Sequence, residues 1–204
     1  MHMSTRRLLG LGAALTLGAV VVLTAFASAA SGSAQHVRWD IIHLAGGTVP
    51  GPATAGGSAS ATAANGGGTI TLTGAGTFVA PAGGGGSNAV TGGGTWTATA
   101  PYAGSGTYEV VELADWEFAN LQTPGVVTDL IGDASNKGAN GNAVMRIAFS
   151  DGSQGVLTVG CHGPGAPSGI FEGIAVTKGY VTYYTTPAPV NGVDAGRTSF
   201  HVRS

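Results

Sequence analysis

The sequence predicts an all-β protein: an antiparallel, barrel-like or strongly curved sheet of about nine or ten strands. Three observations point there. Apolar and polar residues alternate in short runs from His36 to the end of the chain, the pattern of half-buried strands. Turn chemistry separates the runs, above all Asn65-Gly66 and Asp151-Gly152, whose central positions need positive φ. Glycine is abundant, at 37 residues, and apolar parity switches within several runs, as it does at the bulges that let a sheet close or coil sharply. A two-sheet β-sandwich is the alternative.

Composition narrows the class. Glycine follows no three-residue period, so collagen is excluded. Charged residues make up only 9%, against roughly 25% in an ordinary soluble chain. Disorder requires low hydrophobicity and high charge, and this chain has neither. Acids outnumber bases, the more so once Arg6 and Arg7 are removed, so neither nucleic acid nor an anionic membrane surface is an expected partner.

Residues 1–29 follow the secretory plan. Arg6-Arg7 form the basic region, 8–26 is the apolar stretch, and Ala27-Ser28-Ala29 is a small-residue cleavage site. Cleavage after Ala29 leaves 30–204 as a single all-β domain, secreted or extracytoplasmic, with no membrane contact after signal cleavage. Sec export is expected, with twin-arginine export through Thr5-Arg6-Arg7-Leu8-Leu9 as the alternative. The competing reading is an uncleaved anchor, since the apolar run is long enough to span a bilayer. Composition and signal together resemble those of small secreted bacterial β proteins, which specifies no activity.

The first strand covers 36–44, with Val37, Trp39 and Ile41 on one face and His36, Arg38 and Asp40 on the other. A Gly/Pro/Ala loop covers 46–57, and a hairpin turns at Asn65-Gly66. A G-x-G-T-Φ pattern begins at Gly66, Gly74, Gly92 and Gly104, where Φ is large and apolar. The glycines supply a turn or bulge and the large residue is the first core contact. No Lys-Ser/Thr follows and no helix opens, so the pattern is not a phosphate loop. The run 107–118 changes parity near Val110-Val111, which predicts a bulge. Thr123-Pro124 opens a short helix through Ile131, closed by Gly132, and 133–142 reads as irregular. The stretch 143–184 reads as three strands, with a hairpin at Asp151-Gly152 and a bulge or bend at Gly179. Pro187, Pro189 and Asn191-Gly192 mark a loop, and 197–202 is a closing strand with Phe200 and Val202 inward.

Candidate chemistry centres on Cys161, His162 and Glu172 beside the Gly/Pro loop 163–169. A thiolate activated by an imidazole is a nucleophile, and His43 or His201 is an alternative base. Adjacent strand residues point apart, so His162 serves Cys161 only if the strand has ended. The competing reading is an inert, buried cysteine. Glu109, Glu112, Asp115, Glu117 and Glu172 offer carboxylate pairs for glycoside hydrolysis or calcium, against a plain solvated face. His36, His43, His162 and His201 lack metal-ligand spacing, so neither a metal nor a cofactor is expected. Trp116, Tyr180 and Tyr183 are candidate ligand-binding aromatics, against core packing. No G-x-S-x-G elbow is present.

The function expected is a secreted non-catalytic β module that binds a small molecule, glycan or surface partner. One alternative is a β-barrel isomerase or hydrolase using a Cys161/His162/Glu172 pocket. The other is a structural extracellular protein, suggested by the Gly/Ala/Ser/Thr composition.

Overall fold

The structure, a computed structural model, describes residues 33–45, 51–82, 85–132, 137–185 and 196–203. The signal segment and the loop through Pro187, Pro189 and Asn191-Gly192 lie outside them. Thirteen strands follow one another in the chain: β1 Gln35–Leu44, β2 Pro52–Ala55, β3 Ala59–Ala63, β4 Thr69–Leu72, β5 Ala75–Ala80, β6 Val90–Ala98, β7 Gly104–Leu121, β8 Thr128–Asp129, β9 Lys137–Phe149, β10 Gln154–Cys161, β11 Gly173–Lys178, β12 Val181–Thr185 and β13 Thr198–Arg203. There is no α-helix among the described residues. The all-β, strongly curved architecture expected from the alternation is the one found.

The strands form one large sheet that returns on itself. Its order is β9-β10-β11-β12-β3-β4-β6-β7, and β7 pairs again with β9. A second path leaves this ring and rejoins it. β5 continues from β4 along the same edge of β6, pairs with β1, and β1 pairs with β13. β13 then pairs with Lys137 to Ala139 of β9, just ahead of the stretch that β10 occupies. All of these ladders are antiparallel. β2 and β8 form a small parallel flap attached to the far end of β1.

Period-two alternation places the core. Val37, Trp39, Ile41, Phe78, Leu113, Met145, Leu157, Ile174, Tyr183 and Phe200 are all buried in one cluster. A second, smaller cluster of Ile42, Leu44 and Ala53, with Val127 and Ile131 packed on it, lies under the flap. The outer face of the low-charge sheet is wetted by hydroxyls paired across strands, such as Thr73 with Thr95 at 2.7 Å and Thr77 with Thr91 at 2.8 Å.

Curvature comes from bulges and glycines. β7 shifts register against β9 at Val110/Glu112, as the parity change predicts, and again at Leu113/Asp115 and Phe118/Asn120. Each extra residue bends the strand and adds twist. Where β5 crosses β6, Gly76 pairs with Gly92. A Cβ on Gly76 would lie 2.1 Å from the Thr91 carbonyl oxygen and 2.8 Å from Trp39 Nε1. Gly92, at φ +108°, would put a Cβ 2.2 Å from the Ala75 carbonyl oxygen. Trp39 lies opposite Gly76 in the β1–β5 ladder and is fully buried, so its indole occupies the space that the glycine leaves.

Several sequence expectations need correction. The helix after Thr123-Pro124 does not form. The segment turns and runs through β8, and Asp129 Oδ1 accepts from the Ile131 and Gly132 amides at 2.9 and 3.3 Å. The i, i+4 spacing of Val127 and Ile131 imitates a helix face, but both pack onto the cluster under the flap. Gly179 is not a bulge: with Tyr180 it makes a two-residue turn between Lys178 and Val181, so the stretch read as three strands is four. Of the segment 133–142, read as irregular, Lys137 to Asn142 belong to β9. These strands, with β2 and β8, carry the count past the nine or ten expected. The Asn65-Gly66 and Asp151-Gly152 turns are present, with Gly66 at φ 74° and Gly152 at φ 86°.

Gly76→Ala is expected to destabilise the protein by about 1–3 kcal/mol through overpacking. Gly169→Ala, where an added Cβ meets nothing within 4 Å, should stay within about 0.5 kcal/mol of the parent. Thermal denaturation of the two variants beside the parent is the measurement.

Candidate functional site

The site lies where β10 ends and β13 begins. After Cys161 the chain enters the Gly/Pro loop, which is pinned from three directions. Gly163 N donates to Asn140 Oδ1 at 2.8 Å, Asn120 Nδ2 donates to the Gly165 carbonyl at 2.7 Å, and Thr123 N donates to the Pro164 carbonyl at 2.9 Å. Asn140 is fully buried on β9. The loop is thus fastened to the ends of β7 and β9.

Glu172 joins the two strand ends. One carboxylate oxygen accepts from the His162 amide at 2.6 Å and the other from the Thr198 amide at 2.8 Å. Burial pushes this carboxyl above the ordinary glutamate range, opposed by those two amides and by the charges of Arg197 and His162. His162 Nδ1 lies 2.6 Å from the Ile170 carbonyl, and an oxygen acceptor there requires the proton on Nδ1. The Thr198 hydroxyl donates to the Gly160 carbonyl at 2.6 Å.

Cys161, His162 and Glu172 all line one cavity of about 610 Å³. His201 and Arg197 line it as well, together with Ile42, Leu44, Ala53, Pro124 and Val127. The sequence candidates therefore come together, but not as a catalytic relay. Glu172 meets His162 through the backbone amide rather than the imidazole. Cys161 is only 1% exposed, and its Sγ contacts the Thr198 carbonyl and Gln122 Nε2, each at 3.4 Å. Burial, and after it the charge of Glu172, push the thiol far up, so it stays protonated. A protonated thiol is a poor nucleophile.

A second polar cluster lies under the flap. His201 Nε2 contacts Asp129 Oδ2 at 2.5 Å, and the imidazole is 2% exposed. Burial alone would raise the Asp129 carboxyl, but the Ile131 and Gly132 amides and His201 bring it below its ordinary value. Arg38, across the ladder from His201, grips Asp40 through two bonds of 2.8 Å. Asp40 is completely buried, although alternation alone placed it on the outer face: the outer face of β1 is itself covered here.

The other candidates are dispersed. Trp116 is buried, donates from Nε1 to Gln35 Oε1 at 2.8 Å and packs edge-on against Phe200. Tyr183 is buried against Tyr102, and Tyr180 stands fully exposed on its turn. These three share no surface. Glu109 and Glu117 are exposed, Glu112 and Asp115 are half-buried, and Glu112 lies 3.6 Å from Arg146. His43 is exposed and lies outside the cavity lining. Among the described residues no three His, Cys, Asp or Glu side chains gather as metal ligands. A scan against family models, a search of curated proteins and a search of solved structures each returned no match.

Sequence reasoning missed Asp129, Arg197 and Ser199. A signal for the last two was present: Arg197, Ser199 and His201 share one parity opposite Phe200 and Val202, a concentration of polar groups in a chain nearly without charge. Asp129 had none, being 72 residues from His201.

Native Cys161 is expected to resist a thiol reagent, with labelling only after denaturation; stoichiometric labelling of the folded protein would contradict the buried, protonated thiol. Glu172→Gln replaces one acceptor by an amide that faces a backbone N–H, and should cost about 1–3 kcal/mol. Because the folded carboxyl is raised, its contribution is complete below the ordinary glutamate range and is lost as pH rises through the folded value. The stability difference between parent and Glu172→Gln should therefore shrink as pH rises, as denaturant titrations at several pH values would reveal.

Proposed function

We propose that this chain is a secreted, non-catalytic β module that binds a small molecule in the cavity between β13, the end of β1 and the flap. The cavity carries this reading. Its volume of about 610 Å³ falls in the range of small-ligand sites, and its lining has their character, mostly apolar walls with a few converging polar groups. Secretion rests on the basic region, apolar stretch and small-residue site of 1–29. The chemistry around Cys161 supports binding over catalysis. The thiol is buried and protonated, both Glu172 oxygens accept backbone amides, and the His162 Nδ1 proton is committed to a carbonyl.

An enzymatic reading retains one observation: His201 is oriented by Asp129 as a general base would be. His201 Nδ1, however, has no hydrogen-bond partner among the described residues, so no hydroxyl or thiol nucleophile stands ready beside it.

The neutral dye N-phenyl-1-naphthylamine tests the binding reading. Titration into the purified protein should give a saturable, one-to-one fluorescence rise. Val127→Trp, which fills the cavity from its partly buried wall, should reduce that rise at least tenfold while melting as a cooperative fold. Absence of a saturable signal in the parent, or a signal indifferent to Val127→Trp, would overturn the proposal.

A further inference from the structure

One wall of the cavity is a strap at the protein surface. Residues 124–132 follow the pinned Thr123 and contain β8, the outermost strand of the flap. None of the nine is buried. Pro124, Gly125, Val127 and Asp129 line the cavity, while Thr128 and Leu130 of the same stretch are exposed. The strap therefore has the cavity on one side and solvent on the other.

Its attachments are few. Thr123 N donates to the Pro164 carbonyl at 2.9 Å and fixes one end. The two residues of β8 pair only with Pro52 and Ala53 of β2, and the Leu130 amide donates to the Ala53 carbonyl at 3.0 Å. Val127 and Ile131, both partly buried, pack on the small cluster of Ile42, Leu44 and Ala53, which is separate from the main core. A segment with little buried apolar surface opens locally at lower cost than core strands do.

Among the described residues, one side-chain hydrogen bond ties the strap to the ring: Asp129 Oδ2 meets His201 Nε2 at 2.5 Å. Its two halves differ. His201 is buried on β13, which is held on both sides by β1 and β9. Asp129 is exposed, and its Oδ1 accepts from the Ile131 and Gly132 amides, so the carboxylate that reaches His201 also shapes the end of the strap. The His201 imidazole has no other hydrogen-bond partner among the described residues. Lifting the strap returns Asp129 to water and leaves a buried imidazole without a partner, which opposes opening. Breaking the contact nevertheless leaves the main core untouched.

Resting on the binding reading above, we infer that residues 124–132 are a gate over the cavity and that the Asp129–His201 contact is its latch. A ligand enters and leaves when the contact breaks and the strap lifts from β2 and the cluster beneath it. The latch sets how fast the cavity exchanges its occupant more than how tightly it holds it, because it is the same contact in the empty and the filled protein.

Two measurements test the gate, one with a ligand and one without. In stopped-flow mixing with N-phenyl-1-naphthylamine, Asp129→Ala should speed association and dissociation together, each at least tenfold, and change Kd less than twofold. Asp129→Asn keeps an acceptor for the Ile131 and Gly132 amides and exchanges a charged hydrogen bond for a neutral one, so its rates should fall between. Thr128→Ala, on an exposed neighbour outside the cavity lining, should match the parent. Hydrogen exchange without the dye reads the Leu130 amide, whose acceptor is the Ala53 carbonyl rather than Asp129. It should exchange at least tenfold faster in Asp129→Ala than in the parent, with the amides of β9 unchanged. Parent-like dye rates in both Asp129 variants, with saturable binding intact, would overturn the gate. Faster dissociation without faster association would mark Asp129 as a structural residue and overturn it too, as would faster exchange spread evenly over Leu130 and β9. Loss of saturable dye binding in the parent would instead overturn the reading on which the gate rests, and the Leu130 amide would still report whether the strap lifts by itself.

Discussion

At Gly76 and Gly92 two strands pass more closely than any side chain permits, and an added Cβ at either would fall just over 2 Å from a carbonyl oxygen. Sheets normally twist gently from strand to strand. Here the chain uses its glycines to turn one β run away from its neighbour. β4 stays in the ring, while β5, beyond Gly74, keeps its place on β6 and takes up β1 on its other edge. Trp39 fills the space above Gly76, so bend and core packing are one feature. β1 in turn carries β13, and β13 brings Ser199 and His201 to the cavity lining. A side chain inserted at the glycine crossing would disturb the support of the site two strands away.

The protein has few charges. Among the described residues Asp40 on β1 and His201 on β13 are buried, and half-buried Glu172 and the more exposed Asp129 reach the same region, each with specific partners. Burying such groups is costly unless hydrogen bonds compensate, so their gathering at one place marks it apart from the rest of the molecule. Glu172 illustrates the difference between a catalytic and an architectural carboxylate. It is pushed up by burial, yet its oxygens are spent on the amides that begin β13 and follow β10. It sets the shape of the cavity wall more than it offers chemistry to an occupant.

Much of the fold was legible because strand alternation and turn chemistry are local properties. Val37, Trp39 and Ile41 face the core as their spacing predicts, and Asn65-Gly66 and Asp151-Gly152 turn where positive φ is needed. The bulge at Val110 was visible as a parity change. Gly179 was misread because a two-residue turn and a bulge both shift parity. The stretch after Pro124 carried a helical spacing that tertiary packing overrode, since Val127 and Ile131 gain more by covering Ile42 and Leu44 than by forming an isolated short helix. Lys137 to Asn142 looked irregular because their small polar residues show no alternation. They extend β9 because β7 and β13 offer backbone partners.

What the sequence by itself determined is the class: an antiparallel β protein, glycine-bent, sparsely charged, with Cys161, His162 and Glu172 near one loop. What only the tertiary structure decided is which strands close the ring, that those three residues share a cavity, and what each does there. Asp40 passed from an outer face to complete burial, held there by Arg38. Asp129 reached His201 across 72 residues, and Arg197, Ser199 and His201 came to line one cavity with apolar residues of β1, β2 and the segment before β8. Local periodicity settles which way a side chain points, whereas burial, desolvation and pairing depend on neighbours that only folding brings into reach.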